Sequence, residues 1–295
     1  MASATLFCGH EVSGEQLELI RHLVGEHRGL SRLELANTVC ELLGWARPNG
    51  SLKGRECRQF LERLEGKGVL ELPGKRARRP VGSRTRVPIT ARGERGPELF
   101  GSVRDVAPVR LERVVAQEQR LLFRELVGRY HYLGHAVPYG AQLRYLVWVE
   151  QPQRAVVGCV QLSSPAWRMA ARDRFIGWDD RTRARNLQRI VCNSRFLLLP
   201  WVRVRNLASA VLSAVAREMV ADWRAVYGVE PYLLETLVDG ARFAGTCYRA
   251  AGWIALGTTS GRGRADREHR LEGEAPKLIF ILPLRPDAVR RLCEG

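Results

Sequence analysis

One stretch decides the fold: residues 189–227, RIVCNSRFLLLPWVRVRNLASAVLSAVAREMVADWRAVY. Residues 189–199 are mostly apolar and end at Pro200, which predicts a strand buried in a sheet. From residue 203 to 227 the apolar positions recur at i, i+3 and i+4, which predicts a long helix with one buried face. These positions are Val204, Leu207, Ala208, Val211, Leu212, Val215, Met219 and Trp223. A strand followed by a long amphipathic helix is typical of an α/β domain.

Shorter elements flank this unit on both sides. In chain order they are a helix at 111–130, strands at 143–150 and 155–162, a strand at 232–238, a helix at 241–251, and strands at 253–256 and 278–284. The first two strands are separated by residues 151–154, QPQR, as in an antiparallel hairpin. The sequence therefore predicts an α/β domain with a central mixed sheet over residues 106–295.

The first 73 residues predict a separate helical domain. Helical spacing follows Ser13 and Ser31, which are typical N-cap residues, and a third amphipathic segment runs from Leu52 to Glu65. Residues 69–72, VLEL, follow a glycine-containing turn and predict a short strand. This combination favours a winged-helix-like DNA-binding domain over residues 1–73. The alternative is a generic helical domain that docks on the rest of the chain or on a partner.

Charge is distributed unevenly along the chain. Residues 1–73 carry nine Lys and Arg against ten Asp and Glu, whereas residues 74–96 carry eight against one. Charges of one sign at this density cannot be neutralised within the segment. We therefore expect residues 74–105 to form an exposed, arginine-rich linker between the two domains.

The composition favours a polyanionic partner. The chain has 47 Lys and Arg against 31 Asp and Glu, a net charge of +16. We expect DNA, single-stranded or as a distorted duplex, with RNA as the alternative. No apolar run approaches the roughly 18 residues that cross a membrane, so the sequence predicts a cytoplasmic protein without a membrane partner. The seven cysteines are scattered and lack zinc spacing, so no metal site is expected.

Arginines interleaved with aromatic residues predict a nucleic-acid interface, because guanidinium groups contact phosphates and aromatic rings stack on bases. The residues expected to take part are Arg55, Arg58, Arg76, Arg78, Arg79, Arg84, Arg86, Arg183, Arg185, Arg189, Trp201, Arg262 and Arg264. They lie on the third predicted helix, in the linker, in the arginine-rich stretch before residue 205 and in a glycine-rich loop. The alternative is a solvated basic face.

Several reaction classes lack their motifs in this chain. There is no Walker motif, no serine-nucleophile elbow and no zinc-deaminase signature. His131 and His135 lie four residues apart just before a strand, a spacing that suits shared proton transfer or one shared metal; the alternative is a helix-end histidine in a polar turn. Asp239 follows the strand at 232–238, where it either orients a base or only forms the turn before Gly240. Whether the chain uses a cofactor is left open by the sequence.

The order of the predicted elements resembles the fold of the GCN5-related N-acetyltransferases. Residues 248–253, YRAAGW, are similar to the segment in which that superfamily's tyrosine often acts as general acid. The alternative for Tyr248 is a core tyrosine whose hydroxyl bonds a carbonyl. Residues 203–208, RVRNLA, are an imperfect counterpart of the pyrophosphate loop. The anion-binding residues that this implies are Arg203, Arg205 and Asn206. Because Asn206 replaces the first glycine of the loop, an ordinary acyl-CoA transferase is not expected.

A closer resemblance is to the DruA family of the Druantia anti-phage system, which also occurs beside transposases. It rests on residues 131–134, HYLG, 189–191, RIV, 205–209, RNLAS, 247–248, CY, and 252–253, GW. The same landmarks are similar, more remotely, to the phage Mom enzymes, which alter adenine on an acetyltransferase-like fold. That resemblance implies that His131, Tyr132 and Tyr248 lie near the reacting centre.

Two hypotheses follow. In the first, the chain is a DNA-binding enzyme of phage defence or mobile elements, and its acetyltransferase-like domain modifies or processes a nucleobase. Its catalytic residues are then His131, Tyr132, Asp239 and Tyr248. In the second, the chain is a non-catalytic DNA or RNA recognition subunit that recruits a helicase, nuclease or transposase. Other subunits of a defence system are expected partners.

Overall fold

The computed structural model describes residues 5–47, 52–74, 87–138, 140–259 and 276–294. The chain divides into two units by its internal contacts. The first comprises Met1–Val81, Trp178–Leu187 and Cys293–Gly295, and the second comprises Gly82–Gly177 and Gln188–Leu292. Residues 178–187 therefore group with the N-terminal helices, whereas the sequence analysis placed them in the α/β domain.

The described residues form nine α-helices and eleven β-strands. The helices are α1 (Gly14–Glu26), α2 (Arg32–Leu43), α3 (Gly54–Gly66), α4 (Gln117–Tyr130), α5 (Ala170–Ile176), α6 (Asp180–Asn186), α7 (Leu207–Tyr227), α8 (Thr246–Ala250) and α9 (Ala288–Cys293). The strands are β1 (Leu6–Phe7), β2 (His10–Glu11), β3 (Leu99–Ser102), β4 (Val109–Arg113), β5 (Gln142–Val149), β6 (Ala155–Ser163), β7 (Ile190–Leu198), β8 (Val202–Arg205), β9 (Leu233–Asp239), β10 (Ile254–Thr258) and β11 (Lys277–Pro283). Of the helices in this part of the chain, none combines the length and apolarity needed to cross a membrane.

In the first unit the three predicted helices form as α1, α2 and α3. The Ser13 hydroxyl accepts from the backbone N–H of Gln16 (3.2 Å), and the Gln16 side chain accepts from the backbone N–H of Ser13 (3.1 Å). Ser31 caps α2 by accepting from the backbone N–H three residues later. Phe7 stacks on Trp45 with ring centroids 3.8 Å apart and helps to fill the core of this unit. The prediction of three helices is confirmed.

The predicted strand at 69–72 does not form. Side chains hold this segment instead: Nε of Arg21 donates to the Val69 carbonyl (2.8 Å), and the backbone N–H of Leu72 donates to a Glu65 carboxylate oxygen (3.1 Å). Local bonds of this kind compete with strand pairing for the same backbone groups. The prediction of a strand at 69–72 was therefore wrong. The interpretation of this unit as a winged-helix-like, DNA-binding domain stays a prediction.

Seven strands of the second unit form one sheet in the order β10-β11-β9-β7-β6-β5-β4. β7 and β9 are parallel, and every other pair of neighbours in this sheet is antiparallel. β3 and β8 form a separate parallel pair. The long helix α7 connects β8 to β9. The predicted α/β fold with a central mixed sheet is confirmed.

Helices α4 and α7 cover opposite faces of this sheet. Successive side chains of a strand point to opposite faces. Val147 of β5 accordingly packs in a core with Trp223 of α7, whereas its neighbour Leu146 packs in a core with Phe123 of α4. Burial of both faces accounts for the nearly continuous apolar sequences of β5, β6 and β7.

Two predicted helices begin later than expected. Residues 109–113 form β4, in which Leu111 lies opposite Val147 of β5, and α4 begins at residue 117. Residues 202–205 form β8, and Asn206 adopts a left-handed conformation (φ 64°) before α7 begins. In both cases the first residues of the predicted helix are paired in a strand instead. Their spacing fits a helix, but strand pairing depends on partners distant in sequence, which the local spacing does not reveal. The predicted helix at 241–251 is likewise limited to the five residues of α8.

The expected linker is structured from residue 87 onward. Thr90 donates through its backbone N–H (2.6 Å) and its hydroxyl (2.7 Å) to the carboxylate of Glu125, a buried residue of α4. Burial alone would raise the pKa of Glu125, but the bonds from Thr90 and Arg129 outweigh it and lower the pKa. Residues 87–105 thus group with the second unit by their contacts, and most of them are exposed; their role as a linker stays a prediction.

A buried ion pair ties α5 to the sheet. The side chains of Arg172 and Glu235 are fully buried, and Nη1 of the arginine lies 2.9 Å from Oε2 of the glutamate. Nε and Nη2 of Arg172 also donate to Asp173, at 3.0 and 2.8 Å. The carbonyls of Ala166 and Trp167 accept further N–H groups at 2.8 and 3.2 Å. A buried charge is tolerated when it is paired and hydrogen-bonded in this way.

Breaking this ion pair should cost far more than removing a surface charge. We expect Arg172→Met to lower the free energy of unfolding by about 3–5 kcal/mol, because Glu235 stays buried without its counter-charge. Arg174→Met removes an exposed arginine of the same helix and should change that free energy by less than about 0.5 kcal/mol. Urea denaturation followed by circular dichroism measures both. Equal effects of the two substitutions would contradict the structural role of the pair.

Candidate functional site

A cleft opens where two parallel strands separate. β7 and β9 are paired at three positions, the last being Cys192 opposite Glu235. Beyond that point each strand continues along its other neighbour, β6 or β11. Residues 193–198 of β7 and 236–239 of β9 therefore line the two sides of a cleft of about 550 Å³. It lies at the carboxyl ends of the strands, where open α/β sheets commonly bind ligands.

The floor of the cleft is a hydrogen-bonded network around Asn193. The hydroxyl of Tyr248 donates to Oδ1 of Asn193 (2.9 Å). Nδ2 of Asn193 donates to the carbonyls of Arg195 (3.0 Å) and Gln161 (3.3 Å), and the hydroxyl of Thr236 donates to the Asn193 carbonyl (2.9 Å). A buried polar network that satisfies its members is rigid, so this floor is held in one arrangement.

Tyr248 is a core residue that also reaches the cleft. It is 6 % exposed, its ring stacks on Phe280 with centroids 5.6 Å apart, and the edges of Phe196 and Trp253 meet it. Burial raises the pKa of its hydroxyl well above the ordinary value. Tyr248 is therefore protonated at neutral pH and acts as a hydrogen-bond donor.

Aromatic rings form the exposed wall of the cleft. His131 and Tyr132, which follow α4, stack with centroids 4.8 Å apart, and Tyr132 lies 5.7 Å from Phe243. The guanidinium group of Arg242 is 5.1 Å from the centroid of the Tyr132 ring. Tyr132 is 39 % exposed and Phe243 is 51 % exposed, so both rings are partly accessible, although His131 and Arg242 already contact the Tyr132 ring.

His131 presents a proton to the cleft at neutral pH. Burial, and then the positive charge of Arg195, lower the pKa of its imidazole to about 4. Nδ1 of the ring accepts from the backbone N–H of Leu133 (3.2 Å), so Nε2 carries the proton in the neutral form. The side chain can therefore donate a hydrogen bond from Nε2, and it is a weak base.

Asp239 is the single acid among the described residues that line the cleft. Its Oδ2 lies 3.4 Å from Nε of Arg242, and its Oδ1 accepts from the backbone N–H of Ala241 (3.1 Å). Burial, and then the charge of Asp239, raise the pKa of Tyr132. The cleft thus combines one carboxylate with the guanidinium groups of Arg242 and Arg195.

All four predicted catalytic residues line this cleft, although they come from separate segments of the chain. These are His131, Tyr132, Asp239 and Tyr248. Their catalytic roles stay predictions. Four other residues of the site were not predicted, namely Asn193, Thr236, Arg242 and Phe243, whereas Arg195 lies in the arginine-rich stretch that was expected to contact nucleic acid. Asn193 could have been found from the sequence, because a polar residue inside an otherwise apolar strand needs buried hydrogen-bond partners.

The predicted anion site does not belong to the cleft. Arg203, Arg205 and Asn206 are exposed and are not among the described cleft residues. Residues 203–205 of the segment that corresponds to an acyl-CoA pyrophosphate loop belong to β8, which is paired with β3, and residues 206–208 form the start of α7, so the anion-binding role of this segment stays a prediction. Asn206 stands where the acetyltransferase loop has its first glycine, and its side chain makes no capping bond to α7, so the residues present do not match the loop that holds acyl-CoA in that fold.

The basic residues of the first unit differ in exposure. Arg55 on α3 is exposed and Arg58 on the same helix is half-buried. Arg183 of α6 is buried and lies 2.8 Å from a carboxylate oxygen of Asp180, and Arg185 is half-buried. Arg183 is thus placed for a structural ion pair rather than for contact with nucleic acid.

In the second unit, two residues predicted to bind nucleic acid contact protein rings instead. Trp201 is 6 % exposed and meets Tyr130 edge-on at 5.1 Å, so it cannot stack on a base. The guanidinium group of Arg189 lies 4.8 Å from the ring centroid of Tyr232. The other predicted residues, Arg76, Arg78, Arg79, Arg84, Arg86, Arg262 and Arg264, lie outside the described residues.

The fold and its cleft define an α/β protein with the element order of the GCN5-related N-acetyltransferases, in which a long helix links two parallel strands. The chain belongs to the DruA family, because the family model for Druantia protein DruA matches residues 64–278. A curated relative, Druantia protein DruA of Escherichia coli (strain UMEA 4076-1), is 27 % identical over 191 residues, which cover 62 % of this chain and 44 % of that protein. The chain thus spans less than half the length of this relative.

Two solved structures illustrate similarities with low sequence identity. Spermidine N-acetyltransferase from Vibrio cholerae in complex with CoA and spermine is 10 % identical with a TM-score of 0.38, over 60 % of this chain and 95 % of that chain. FeeM, an N-acyl amino acid synthase from uncultured soil microbes, is 14 % identical with a TM-score of 0.35, over 60 % of this chain and 90 % of that chain. Similarities at this level say nothing about the substrate.

The imidazole of His131 should titrate near pH 4. Because the unfolded chain binds the proton at an ordinary pKa near 6.5, the free energy of unfolding should fall as the pH falls from about 6.5 to 4. Nuclear magnetic resonance of the ring protons gives the pKa, with His131→Gln to assign the signal. Arg195→Gln should raise the pKa, because it removes a positive charge beside the ring. A midpoint above pH 6 in the unchanged protein would refute this electrostatic description.

Proposed function

We propose that this chain binds nucleic acid in phage defence or in mobile elements, and that its cleft takes up a base from single-stranded or distorted DNA. One observation carries the proposal: the exposed rings of Tyr132 and Phe243 lie in one cleft with the guanidinium groups of Arg195 and Arg242. Aromatic rings stack on unpaired bases and guanidinium groups contact phosphates, so this combination suits a nucleotide.

The dimensions of the cleft support a single nucleotide. Its volume of about 550 Å³ lies within the range of about 300–1,000 Å³ that is usual for small-molecule sites. A base inside a regular duplex cannot enter such a cleft, so the base must be unpaired or turned out of the helix. Thr236 and Asp239 lie at the two ends of the part of β9 that lines the cleft and offer oxygen atoms for the polar edge of the base.

The protonation states support chemistry on that base. Asp239 is the proton acceptor among the described cleft residues, whereas His131 and Tyr248 are donors at neutral pH. We infer that Asp239 accepts a hydrogen bond from an amino group of the base and that Nε2 of His131 donates one to the same base, which holds the base in place for modification or processing. Tyr132 holds the base by stacking. This assigns nucleobase modification or processing to the domain.

Membership of the DruA family supports a role in the Druantia anti-phage system. The chain covers 44 % of its curated relative, so functions of the whole relative can involve residues without a counterpart here. We therefore expect this chain to work with other proteins, of which a helicase or another defence subunit is the leading candidate.

One observation favours a second function, non-catalytic recognition. The Tyr248 hydroxyl is buried and already donates to Asn193, so its proton is committed to the protein. In this alternative the cleft holds a base only to recognise it, and the chain recruits a helicase, nuclease or transposase. DNA binding then survives the loss of His131 and Tyr248, and antiviral protection survives with it.

Removing the exposed rings should weaken binding of single-stranded DNA. Tyr132→Ala and Phe243→Ala each remove one stacking surface worth about 1–3 kcal/mol, so we expect affinity to fall roughly ten- to a hundredfold. Fluorescence anisotropy with a labelled oligonucleotide at fixed salt measures the change. Phe100→Ala is the control, because it removes a similarly exposed ring (56 %) outside the cleft. A loss of affinity equal to that of the control would refute base binding in the cleft.

Modification of DNA can be tested directly by mass spectrometry of nucleosides from cells that express the chain. We expect a modified nucleoside that disappears with Asp239→Asn and is strongly reduced with His131→Ala and Tyr248→Phe. Thermal unfolding of each variant controls for loss of the fold. If antiviral protection and the nucleoside profile are unchanged in all three variants, catalysis is excluded and recognition is the function.

A further inference from the structure

A cationic row crosses the sheet face that α4 covers. Arg144 of β5, Gln161 of β6 and Arg195 of β7 lie opposite one another in the strand pairing. The neighbouring row on the same three strands consists of Leu146, Cys159 and Leu197, which pack against α4. On the face that α4 covers, an apolar row is therefore followed directly, two residues along each strand, by a row that contains two arginines.

Two further elements bring positive charge to this row. Burial, and then the charges of Arg124 and Arg120 on α4, lower the pKa of the Arg144 guanidinium. Burial, and then the charges of Arg144, Arg124 and Arg195, lower the pKa of His135 to about 4. We refer to these five residues, Arg120, Arg124, His135, Arg144 and Arg195, as the arginine cluster.

The arginine cluster has no anionic partner among the described residues. None of its four arginines lies within 4.0 Å of a carboxylate oxygen in that part of the chain. Arg144 donates to neutral oxygens, Oε1 of Gln142 (2.6 Å) and Oε1 of Gln161 (3.4 Å). Arg195 donates to backbone carbonyls, one of them that of Gly134 (3.1 Å).

Two nitrogen atoms of the cluster are shielded from solvent and lack a partner in the described structure. They are Nε of Arg124 and Nε2 of His135. Native proteins rarely leave such groups unsatisfied, and an unsatisfied group commonly marks the place of a bound ion or water. Converging guanidinium groups, like charges held close together and unpartnered nitrogen atoms all favour an anion at this position.

We propose that the arginine cluster is a binding site for a phosphate group. Several guanidinium groups offer more N–H donors than a carboxylate can accept, whereas the oxygens of a phosphate accept from several directions. Arg195 belongs both to the cluster and to the cleft, so a phosphate here would be adjacent to a base stacked on Tyr132. The assignment of this phosphate to a nucleotide rests on the proposed function, but the site itself does not.

Inorganic phosphate is the probe for the site. At constant ionic strength, phosphate in place of chloride should raise the melting temperature of the full chain by roughly 5 °C near saturation. Arg124→Gln and Arg144→Gln should abolish most of this rise. Both substitutions remove like-charge repulsion, so each variant should fold and should be at least as stable as the unchanged chain without phosphate.

Arg154→Gln is the matched control. Arg154 is exposed, lies at the opposite end of the same β5–β6 hairpin as Arg144, and its guanidinium group is 4.7 Å from the ring centroid of Trp148. This variant should keep the full response to phosphate. Phosphate should also raise the pKa of His135, which nuclear magnetic resonance measures without reference to stability. An equal response to phosphate and chloride, or an equal response in Arg124→Gln, would overturn the site.

Oligonucleotide binding then identifies the source of the phosphate. If Arg124→Gln weakens binding of single-stranded DNA and Arg154→Gln does not, the site binds a backbone phosphate. If Arg124→Gln abolishes the response to inorganic phosphate but leaves binding of single-stranded DNA unchanged, the site binds a free phosphate compound, and its assignment to nucleic acid fails. Tyr132→Ala separates the two proposals, since it should reduce DNA binding and leave the response to inorganic phosphate intact.

Discussion

The buried ion pair between Arg172 and Glu235 lies where the cleft begins. Glu235 is opposite Cys192, at the last paired position of β7 and β9, and the next residue, Thr236, already lines the cleft. A fully buried carboxylate is stable only beside its guanidinium group, so the loop and helix that carry Arg172 hold β9 at this point. The pair thus stabilises β9 at the position where the two strands separate and the cleft begins.

Beyond that ion pair, the buried residues between β7 and β9 are polar and are joined by hydrogen bonds. Asn193 uses both ends of its amide, and Thr236 and Tyr248 each bond to it, so the strands that no longer pair with each other are still joined through side chains. Because the network satisfies its own members, it does not need a ligand to be stable. The groups left to interact with a ligand are those outside the network, the half-buried His131 and the exposed Tyr132 among them.

The sequence was informative about local structure and less so about burial. The strand at 189–199 and the long helix were predictable because periodicity is a local property, and the cleft residues His131 and Tyr248 were identified through a family resemblance that carries tertiary information. Arg183 and Trp201 were expected on a binding surface but are buried, since exposure depends on which distant element covers a residue. For the same reason the arginine cluster has no sequence signature, as its members lie on α4, a loop and two separate strands.

Arg195 connects the two halves of the proposed nucleotide site electrostatically. Its positive charge contributes to the lowered pKa of both His131 and His135. A phosphate bound at the arginine cluster would offset that charge and so favour protonation of His131, the donor that faces the base. By linkage, protonation of His131 would strengthen phosphate binding to the same extent. A nucleotide with its base in the cleft and its phosphate at the arginine cluster would therefore favour the protonated form of His131. A base without a phosphate would not have this effect.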